Sequence, residues 1–477
     1  MRNMSETEDM GETGETGETC GTCETCETGD KKYFANAPGA MSGKNCFARD
    51  ELAPKNIVRR RSAEVLSPAG NLKAVRAAAD FGADAVYCSG KMFGMRTAPK
   101  NLTLEEIQQA ADYVHARGAR LYITCNVLPT NPEIDGIEQY LGALGEIGAD
   151  AVIVTDIGIM MLAKKVAPNL EIHISTQAGV VNWLSAKTLY ELGAKRVVLA
   201  RELNLDTIRE IRAKTPKDLE IECFVHGSMC MAFSGRCVIS SYMTGRDGNH
   251  GECAQPCRWK YAVVEQKRPG QYFPIEQTKD GAYLFNSQDM CMLEHLPDLI
   301  EAGVDSLKIE GRAKSAYYVA AMTNAYKTAV NSYYDAIGSG GSASDAVLPQ
   351  WVKEEPFKVS HREYSTGFYY PENSVSQNTD RGGYYRDWLV VGDVVSWENG
   401  RMTFIGHNKI VDGQMIEIIQ PASAPVRLNV EQLRDEQGND ISMANHPTYV
   451  FSLKCDYPIV SGAVMRAKAA IRTLKAE

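Results

Sequence analysis

The segment FGADAVYCSG at residues 81–90 has three close copies later in the chain, IGADAVIVTD at 147–156, LGAKRVVLAR at 192–201 and AGVDSLKIEG at 302–311, and a looser one, HARGARLYITCN, at 115–126. In every copy a helical run ends at a glycine, and a short, mostly apolar stretch follows. Glycine closes a helix at low cost because it adopts the left-handed conformation of the C′ position. The apolar stretches are typical of buried parallel strands. The copies therefore predict strands and helices that alternate along the chain.

Further strand-like segments bring the number of predicted strands to eight. They begin near Glu64, Ala85, Leu121, Ala151, Glu171, Arg196, Glu220 and Ser306, and amphipathic segments lie between most of them. Eight alternating strand–helix units in roughly 250 residues are typical of a TIM barrel. We therefore predict an α/β fold in which residues 61–337 form a TIM-type (β/α)8 barrel. Polar residues that follow the strands should then lie at the carboxyl-terminal mouth of the barrel, where TIM-barrel enzymes bind substrate.

The pattern changes after the last barrel helix. A Gly/Ser-rich segment predicts a linker at 338–355, and strand-like runs without helices between them predict a small antiparallel β-barrel domain at 356–460. The dipeptide Asn399-Gly400 between two of these runs favours a hairpin, because both residues tolerate the positive φ angles of a type I′ turn. The basic stretch at 461–477 predicts a closing helix.

The first 60 residues differ from the rest in composition. Residues 11–30 repeat with a period of three and contain almost no apolar side chains, so we predict that residues 1–60 form a disordered tail. Nine of the 60 acidic residues of the chain lie in residues 1–30 with a single arginine, which accounts for most of the net charge of −9. The remainder is nearly neutral, and the overall charge therefore does not exclude an RNA partner.

The sequence lacks the usual signals for membrane insertion or secretion. No apolar run approaches the about 18 residues of a membrane span, and the amino terminus lacks the basic and apolar regions of a secretory signal. We therefore predict a cytoplasmic protein without a membrane partner. In that reducing compartment its 13 cysteines should be free, catalytic or metal-bound rather than paired in disulfides.

Four cysteines lie within 28 residues of a predicted insert at 227–285, which follows strand seven: Cys230, Cys237, Cys253 and Cys257. Four thiolates so close in sequence are typical of a metal centre. The six residues between the first two exceed the spacing usual in structural zinc sites, whereas iron–sulfur clusters accept more varied spacings. An iron–sulfur cluster, a zinc site and buried, unliganded cysteines are the alternatives, in that order of preference.

Several long blocks of the sequence resemble the collagenase-like peptidase U family, and within it the branch that hydroxylates tRNA uridine at C5. The blocks include FVHGSMCMAFSGRCVIS at 224–240, ECAQPCRWKY at 252–261, LKIEGRAKS at 307–315 and HREYSTGF at 361–368. The resemblance extends over most of residues 62–456.

This resemblance implies a 4Fe-4S cluster held by Cys230, Cys237, Cys253 and Cys257. Some relatives in quinone biosynthesis take the fourth ligand further downstream, where Cys291 lies; we favour Cys257 because its block matches the tRNA branch. The implied reaction is the oxygen-independent formation of 5-hydroxyuridine at the wobble position, with tRNA as the partner. Prephenate, a small dicarboxylate, is the implied source of the hydroxyl group.

Other functions are alternatives to this one. Within the resemblance they are the hydroxylation of an rRNA cytidine and of a quinone precursor, and outside it a zinc-stabilised RNA-binding protein without catalysis. The quinone-linked relatives lack an appended β-domain, so the predicted domain at 356–460 favours an RNA substrate. A peptidase is disfavoured because neither HExxH nor GxSxG occurs in the chain.

Polar residues near the strand ends form the predicted site. His226 closes strand seven, Glu310 follows strand eight, and His173 and Gln177 share one face of strand five by its period of two. We predict catalytic roles for His226, His173 and Glu310, with His226 or Glu310 as the base that removes the C5 proton. Arginine grips carboxylates with two parallel hydrogen bonds. The residues predicted to bind substrate are Gln177, Arg201, Glu202, Arg312 and Asn126.

Overall fold

The computed structural model describes residues 63–93, 101–229, 237–248, 252–259, 262–263, 273–274, 288–371 and 384–469. The predicted tail at 1–60 and much of the predicted insert at 227–285, including Cys230, lie outside the described residues. The described residues form a closed parallel barrel followed by an antiparallel sheet. The predicted α/β class and its two-part architecture are therefore confirmed.

Eight parallel strands form the barrel, at the eight predicted positions. They are β1 (Glu64–Pro68), β2 (Ala85–Ser89), β3 (Arg120–Cys125), β4 (Ala151–Val154), β5 (Glu171–Ile174), β6 (Arg196–Val198), β7 (Glu220–Ser228) and β11 (Ser306–Ile309). Neighbouring strands pair in sequence order, and β11 pairs in parallel with both β7 and β1, so the sheet closes on itself. The carboxyl ends of all eight strands therefore meet at one mouth.

Helices follow most of the strands. They are α1 (Leu72–Asp80), α2 (Leu104–His115), α3 (Ile137–Ile147), α4 (Ile157–Val166), α5 (Trp183–Glu191), α6 (Leu205–Lys214), α8 (Leu296–Glu301) and α9 (Ala316–Gly338), with the short α7 (Ile239–Thr244) in the insert. Six begin at a polar residue whose side chain accepts a backbone N–H of the first turn: Asn71, Thr103, Asp156, Asn182, Asn204 and Ser315. Across the part of the chain that the structure describes, no helix combines the length and the apolar character needed to span a bilayer.

The barrel has two apolar regions, one on one side of its interior and one between its strands and helices. The inward residues Leu66, Tyr87, Tyr122 and Ile153 form a small cluster inside the barrel, on the side of β1 to β4. Cys88 and Cys125 are buried in the larger core between strands and helices, as expected for packing residues. The side of the lumen formed by β5, β6, β7 and β11 is charged, and it is described with the site below.

Two short strands extend the sheet beyond the barrel. β10 (Asp289–Cys291) pairs antiparallel with β7, and β12 (Tyr364–Ser365) pairs in parallel with β10. Two further short strands in the insert, β8 (Ala262–Val263) and β9 (Phe273–Pro274), pair with each other. Because β12 belongs to the barrel sheet, the predicted start of the β-domain at 356 is wrong.

The predicted linker at 338–355 is also wrong in part, since it contains the helix α10 (Gln350–Glu354). This helix buries Val352 against the barrel core. The sequence suggested a flexible connection because residues 338–345 are rich in glycine and serine. The segment instead continues the packing of α9.

A curled antiparallel sheet of six strands forms the second domain. They are β13 (Trp388–Glu398), β14 (Arg401–Gly406), β16 (Met415–Ile419), β17 (Val426–Asn429), β19 (Val450–Lys454) and β20 (Val464–Lys468), in the order β17-β16-β20-β13-β14-β19. A separate pair consists of β15 (Ile410–Val411) and β18 (Met443–Ala444). The predicted hairpin is confirmed: Asn399 and Gly400 join β13 to β14 with φ angles of 49° and 77°.

The predicted closing helix at 461–477 is wrong over residues 464–468. These residues form β20, which lies between β13 and β16 and hydrogen-bonds to both. The stretch has a helix-forming composition, but pairing on both sides overrides this weak local preference. Residues 470–477 lie outside the described residues.

Candidate active site at the barrel mouth

Arg201 lies at the mouth, three residues after β6, in a tightly defined position. Its guanidinium carbon is 3.8 Å from the ring centroid of Phe224, and its Nη1 donates to the carbonyl oxygen of Ser228 at 3.0 Å. Its Nη2 is 3.8 Å from Oε2 of Glu310. The Nε–H is buried and has no hydrogen-bond partner among the described residues. Arg201 therefore places a positive charge in a fixed position at the mouth, with its Nε–H available to a ligand.

Glu310 follows β11 and faces Arg201 across the mouth. Its carboxyl group is mostly buried, and the hydroxyl of Tyr87 is 3.4 Å from its Oε2. Gly227 has a φ of +107°, and a Cβ at this position would lie 2.6 Å from the carbonyl oxygen of Glu310. The end of β7 can therefore approach Glu310 only because residue 227 is a glycine.

Arg312 contacts the opposite part of the mouth. Its Nη1 donates to the hydroxyl of Ser89 at the end of β2 and to that of Thr124 on β3, the latter at 3.0 Å. The structure thus brings together three of the predicted residues, Arg201, Glu310 and Arg312, around one opening. Two guanidinium groups and one carboxylate form an arrangement that suits an anionic small molecule.

Gln177 also lies near the mouth, but for a different reason from the one predicted. Strand β5 ends at Ile174, and Gln177 belongs to the 3-10 turn Thr176–Ala178, so the shared strand face with His173 is wrong. Its Oε1 is 3.4 Å from the hydroxyl of Thr155, which donates to the carbonyl oxygen of Asn126 at 3.1 Å. Its Nε2 is buried without a partner among the described residues. Glu202, next to Arg201, is half-buried.

His173 lies inside the lumen rather than beside Glu310. Its ring is fully buried and stands edge-on to Tyr122, with 4.7 Å between the ring centroids. Its Nε2 is 3.5 Å from Oε2 of Glu171. Burial and the neighbouring Arg196 lower the pKa of His173. This histidine therefore borders the charged cluster that fills the lumen.

We call that group the lumen ion cluster; it consists of Arg196, Lys308, Glu64, Glu220 and Glu222. The Arg196 guanidinium contacts all three carboxylates at 2.6 to 2.9 Å, and Lys308 lies 2.6 Å from Glu222. Burial alone would raise the pKa of Glu64, but Arg196 lowers it to about 2. Paired charges of this kind remain ionised although they are buried.

Sequence reasoning missed the lumen ion cluster, although the sequence carries a signal for it. Glu220 and Glu222 alternate with apolar residues on β7, and Lys308 does the same on β11. In a barrel strand the alternate residues share one face. Charged residues at two successive positions of that face indicate an ionic lumen.

His226 packs against α9 rather than above the lumen, which corrects its predicted place at the mouth. Its ring lies 5.9 Å from that of Tyr318, 5.5 Å from that of Tyr326 and 5.4 Å from that of Tyr364. The hydroxyl of Tyr326 donates its proton to the carbonyl oxygen of Val225 at 2.8 Å. It can therefore only accept from Nδ1 of His226, 3.2 Å away, so Nδ1 carries the ring proton.

The other ring nitrogen of His226, Nε2, is buried without a hydrogen-bond partner among the described residues. Burial lowers the pKa of His226 to about 3, so the imidazole is neutral. A buried lone pair of this kind is costly unless a donor reaches it. His226 is thus a neutral acceptor four residues before Cys230 in the chain.

Three of the four predicted cluster ligands are described. Cys237 precedes α7, Cys253 is exposed, and Cys257 lies in the 3-10 turn Pro256–Arg258, which packs against α7. None of these thiols is in a disulfide. The backbone N–H of Gln255 points at the Cys253 sulfur, 3.4 Å away.

This donor set suits an iron–sulfur cluster. Backbone N–H donors to sulfur stabilise cysteine thiolates and tune clusters bound by them. Within the described residues no group of three or more His, Cys, Asp or Glu side chains is close enough to hold a metal ion. Cys230 lies outside the described residues, and Cys237, Cys253 and Cys257 do not form such a group by themselves, so the predicted ligand set stays a prediction.

Cys291, the alternative fourth ligand, is held at the base of the insert. It lies directly opposite His226 in the pairing of β10 with β7, and its sulfur is 3.8 Å from the hydroxyl of Tyr326. Burial raises the pKa of its thiol to about 11. Without a metal this position favours the protonated thiol.

Comparisons with known proteins agree with this architecture. The family model described as peptidase family U32 matches residues 70–379, and the model of the peptidase family U32 C-terminal domain matches residues 386–466. The first range covers the barrel from α1 onward, and the second covers nearly all of the antiparallel sheet.

Three named relatives illustrate the range of the family. The tRNA hydroxylation protein P1 of Bacillus subtilis is 35% identical over 419 residues, covering 86% of this chain and 96% of its own. A protein of Methanocaldococcus jannaschii named as an uncharacterized protease is 42% identical over 320 residues, 66% of this chain and 75% of its own. The 23S rRNA 5-hydroxycytidine synthase of Escherichia coli is 36% identical over 299 residues, 63% of this chain and 44% of its own. With its barrel and its second domain both matched, the chain belongs to peptidase family U32.

Proposed function

We propose that this protein is an RNA-modifying enzyme that converts the wobble uridine of tRNA to 5-hydroxyuridine without molecular oxygen. The observation that carries the proposal is the mouth itself, where Arg201 has a buried Nε–H without a partner among the described residues and lies opposite Glu310. The segment with the cysteines leaves the barrel at this mouth, after β7. The names of the Bacillus subtilis and Escherichia coli relatives, which refer to tRNA hydroxylation and to rRNA 5-hydroxycytidine, support an RNA substrate.

The cofactor of this proposal is a 4Fe-4S cluster on Cys230, Cys237, Cys253 and Cys257. When bound, such a cluster supplies single electrons, because irons that all carry cysteine ligands have no open position for substrate. The backbone N–H of Gln255 would steady the Cys253 thiolate. The six residues between Cys230 and Cys237, a wider gap than structural zinc sites usually have, support the cluster over a zinc site.

The hydroxyl donor of this proposal is prephenate, held by its carboxylates. Arg201 and Arg312 lie at the same mouth, and each can pair with one carboxylate. Replacing C5–H by C5–OH oxidises the base by two electrons, so the donor that gives up its hydroxyl group is reduced by two. The two guanidinium groups would orient the donor toward the base.

Proton removal from C5 falls to Glu310 in this proposal. Its carboxylate lies at the mouth, 3.8 Å from Arg201, whereas the ring of His226 is buried against α9. A general base must be within hydrogen-bonding reach of the proton that it takes. His226 then positions the start of the insert, and His173 borders the floor of the site. Gln177, Asn126 and Glu202 line the edge that meets the base.

The proposal is tested by mass spectrometry of tRNA nucleosides from a deletion strain that also lacks any related gene. We expect 5-hydroxyuridine and its derivatives to disappear, and to return with the wild-type gene. Arg201→Lys should restore little, because lysine cannot reproduce the forked guanidinium. Arg209→Lys, at an exposed pair on α6, is the matched control and should restore the modification fully. Unchanged 5-hydroxyuridine in the deletion strain would refute the proposal.

Anaerobic purification tests the cofactor separately. A brown protein with about four iron and four sulfide per chain is the expected result, because a 4Fe-4S cluster contains four of each. A colourless protein that contains zinc would instead support an RNA-binding protein without catalysis.

A second candidate substrate is a cytidine in rRNA. It is favoured by the relative named as a 23S rRNA 5-hydroxycytidine synthase, which matches 299 residues of this chain. The same deletion strain decides between them: loss of 5-hydroxycytidine from rRNA with unchanged tRNA would select this candidate.

A further inference from the structure

Two aromatic rings of the cysteine-bearing segment face solvent. Tyr242 on α7 is 89% exposed, and Trp259, which ends the 3-10 turn Pro256–Arg258, is 47% exposed. The turn packs against α7, so both rings belong to one small unit. Large exposed aromatic groups on neighbouring elements are typical of interaction surfaces.

This unit is fixed to the cysteines by hydrogen bonds. The hydroxyl of Ser240 on α7 accepts the backbone N–H of Ala254 at 3.0 Å, next to Cys253. The carbonyl oxygen of Asp247 accepts the N–H of Glu252 at 2.9 Å. These bonds join α7 to the stretch that leads into the turn with Cys257. A group that stacks on the rings would therefore be held close to the cysteines.

A cation that closely follows α7 in the sequence indicates the kind of partner. Arg246 is exposed and follows Gly245, the residue that ends α7 in the left-handed conformation. Aromatic rings next to a guanidinium group are typical of surfaces that bind single-stranded nucleic acid, because the bases stack on the rings and the phosphates meet the cation. An anticodon loop offers unpaired bases and phosphates together. The two exposed rings together with Arg246 thus favour an unpaired stretch of RNA as the partner.

We propose that Tyr242, Trp259 and Arg246 form a stacking platform for unpaired bases of the tRNA anticodon loop, beside the cysteines. The proposal rests on the proposed function and names the surface that would hold the bases flanking the reacting uridine. Stacking there would fix the loop while the wobble base enters the mouth.

The test uses full-length protein purified anaerobically and a 17-nucleotide anticodon stem–loop with 2-aminopurine next to the wobble uridine. We expect binding to quench 2-aminopurine fluorescence, because the base stacks on a ring. Tyr242→Ala and Trp259→Ala should each lower the affinity roughly 5- to 100-fold and reduce the quenching. Tyr242→Phe should keep both within about twofold, because the ring remains. Leu184→Ala, at a residue 58% exposed on α5, is the matched control and should behave as wild type.

Iron content is measured in every variant, so that a loss of binding with full iron cannot be ascribed to misfolding of the segment. Wild-type affinity and quenching in both alanine variants would overturn the platform but leave the proposed hydroxylation standing. A wild-type protein that does not bind the stem–loop would overturn both proposals. A shift from dimer to monomer in Tyr242→Ala with unchanged RNA affinity would overturn the platform in favour of contact with a second copy.

Discussion

Arg196 shows what a single buried charge does for the barrel. It is fully buried, and its guanidinium contacts the carboxylates of Glu64, Glu220 and Glu222. Arg196→Ala leaves these carboxylates without their shared cation, which typically costs about 3–5 kcal/mol. We expect the free energy of unfolding in urea to fall by at least that amount. Arg209→Ala, at an exposed pair, should cost less than about 1 kcal/mol; similar losses in both variants would contradict the role of the lumen ion cluster.

His226 should make the stability depend on pH. Burial lowers its pKa to about 3 in the folded chain, against 6.5 for a free imidazole. Between these values the unfolded chain binds a proton that the folded chain does not, so the contribution is complete above pH 6.5 and is lost as the pH falls toward 3. As the pH falls, we expect the free energy of unfolding of the wild type to decrease more steeply than that of His226→Gln. The two slopes should differ by up to about 1.4 kcal/mol per pH unit.

Urea titrations between pH 6.5 and pH 4.5 measure this difference best. Glu64, whose pKa is lowered from 4.5 to about 2, adds its own loss mainly below that range. The comparison at pH 8 gives the pH-independent cost of the substitution. Equal slopes for wild type and His226→Gln would show that the imidazole is charged in the folded protein.

At the scale of elements, local patterns predicted well and long-range pairing did not. Each barrel strand after β1 follows a glycine or a helix within a few residues, so a short window of sequence is enough to predict its position. Strand β20 depends instead on β13 and β16, whose residues 393 and 419 lie more than 40 positions away from Val464. A helix-forming stretch becomes a strand there because two neighbours supply its hydrogen bonds.

The candidate site shows the same division. The mouth residues Arg201, Glu310 and Arg312 could be predicted because they follow barrel strands. The orientation of His226 could not be predicted. The register between β11 and β7 shifts between Lys308 and Ile309, and the ring of His226 packs against α9 instead of above the lumen. A one-residue irregularity in strand pairing changes the face of the sheet on which a side chain lies. No local sequence pattern predicts where such an irregularity occurs.

The choice between Cys257 and Cys291 as the fourth cluster ligand can be tested, because β10 fixes the position of Cys291. It fixes Cys291 opposite His226, whereas Cys257 lies in the turn that packs on α7 with Cys253 nearby in sequence. We expect Cys257→Ser to lose most of the iron and Cys291→Ser to keep it, measured on anaerobically purified protein. Cys455→Ala, in the core of the second sheet, is the control with full iron. Loss of iron in Cys291→Ser alone would assign the ligand to β10.

For the molecule as a whole, the second sheet is joined to the barrel by buried charges. We call Arg466, Lys358, Glu355 and Glu417 the interdomain ion cluster. Arg466 on β20 contacts Glu355 at 2.5 Å and Glu417 on β16 at 2.7 Å, and Lys358 lies 3.1 Å from Glu417. Two cations and two carboxylates balance each other, as buried charges require. The residues Ile419 and Val464 of the second sheet also pack into the barrel core.

The two domains should therefore unfold as one unit, and Arg466 should control that coupling. Arg466→Ala leaves Glu355 and Glu417 buried without their shared guanidinium. This typically costs about 3–5 kcal/mol, and it should weaken the contact between the domains by that amount. In differential scanning calorimetry we expect one transition for the wild type and two for this variant, the first at a lower temperature. Arg427→Ala is a matched control, because Arg427 contacts the same Glu417 at 2.8 Å but is 60% exposed; it should keep one transition. A single transition at the wild-type temperature in Arg466→Ala would show that the apolar contacts of Ile419 and Val464 couple the domains without the ion cluster.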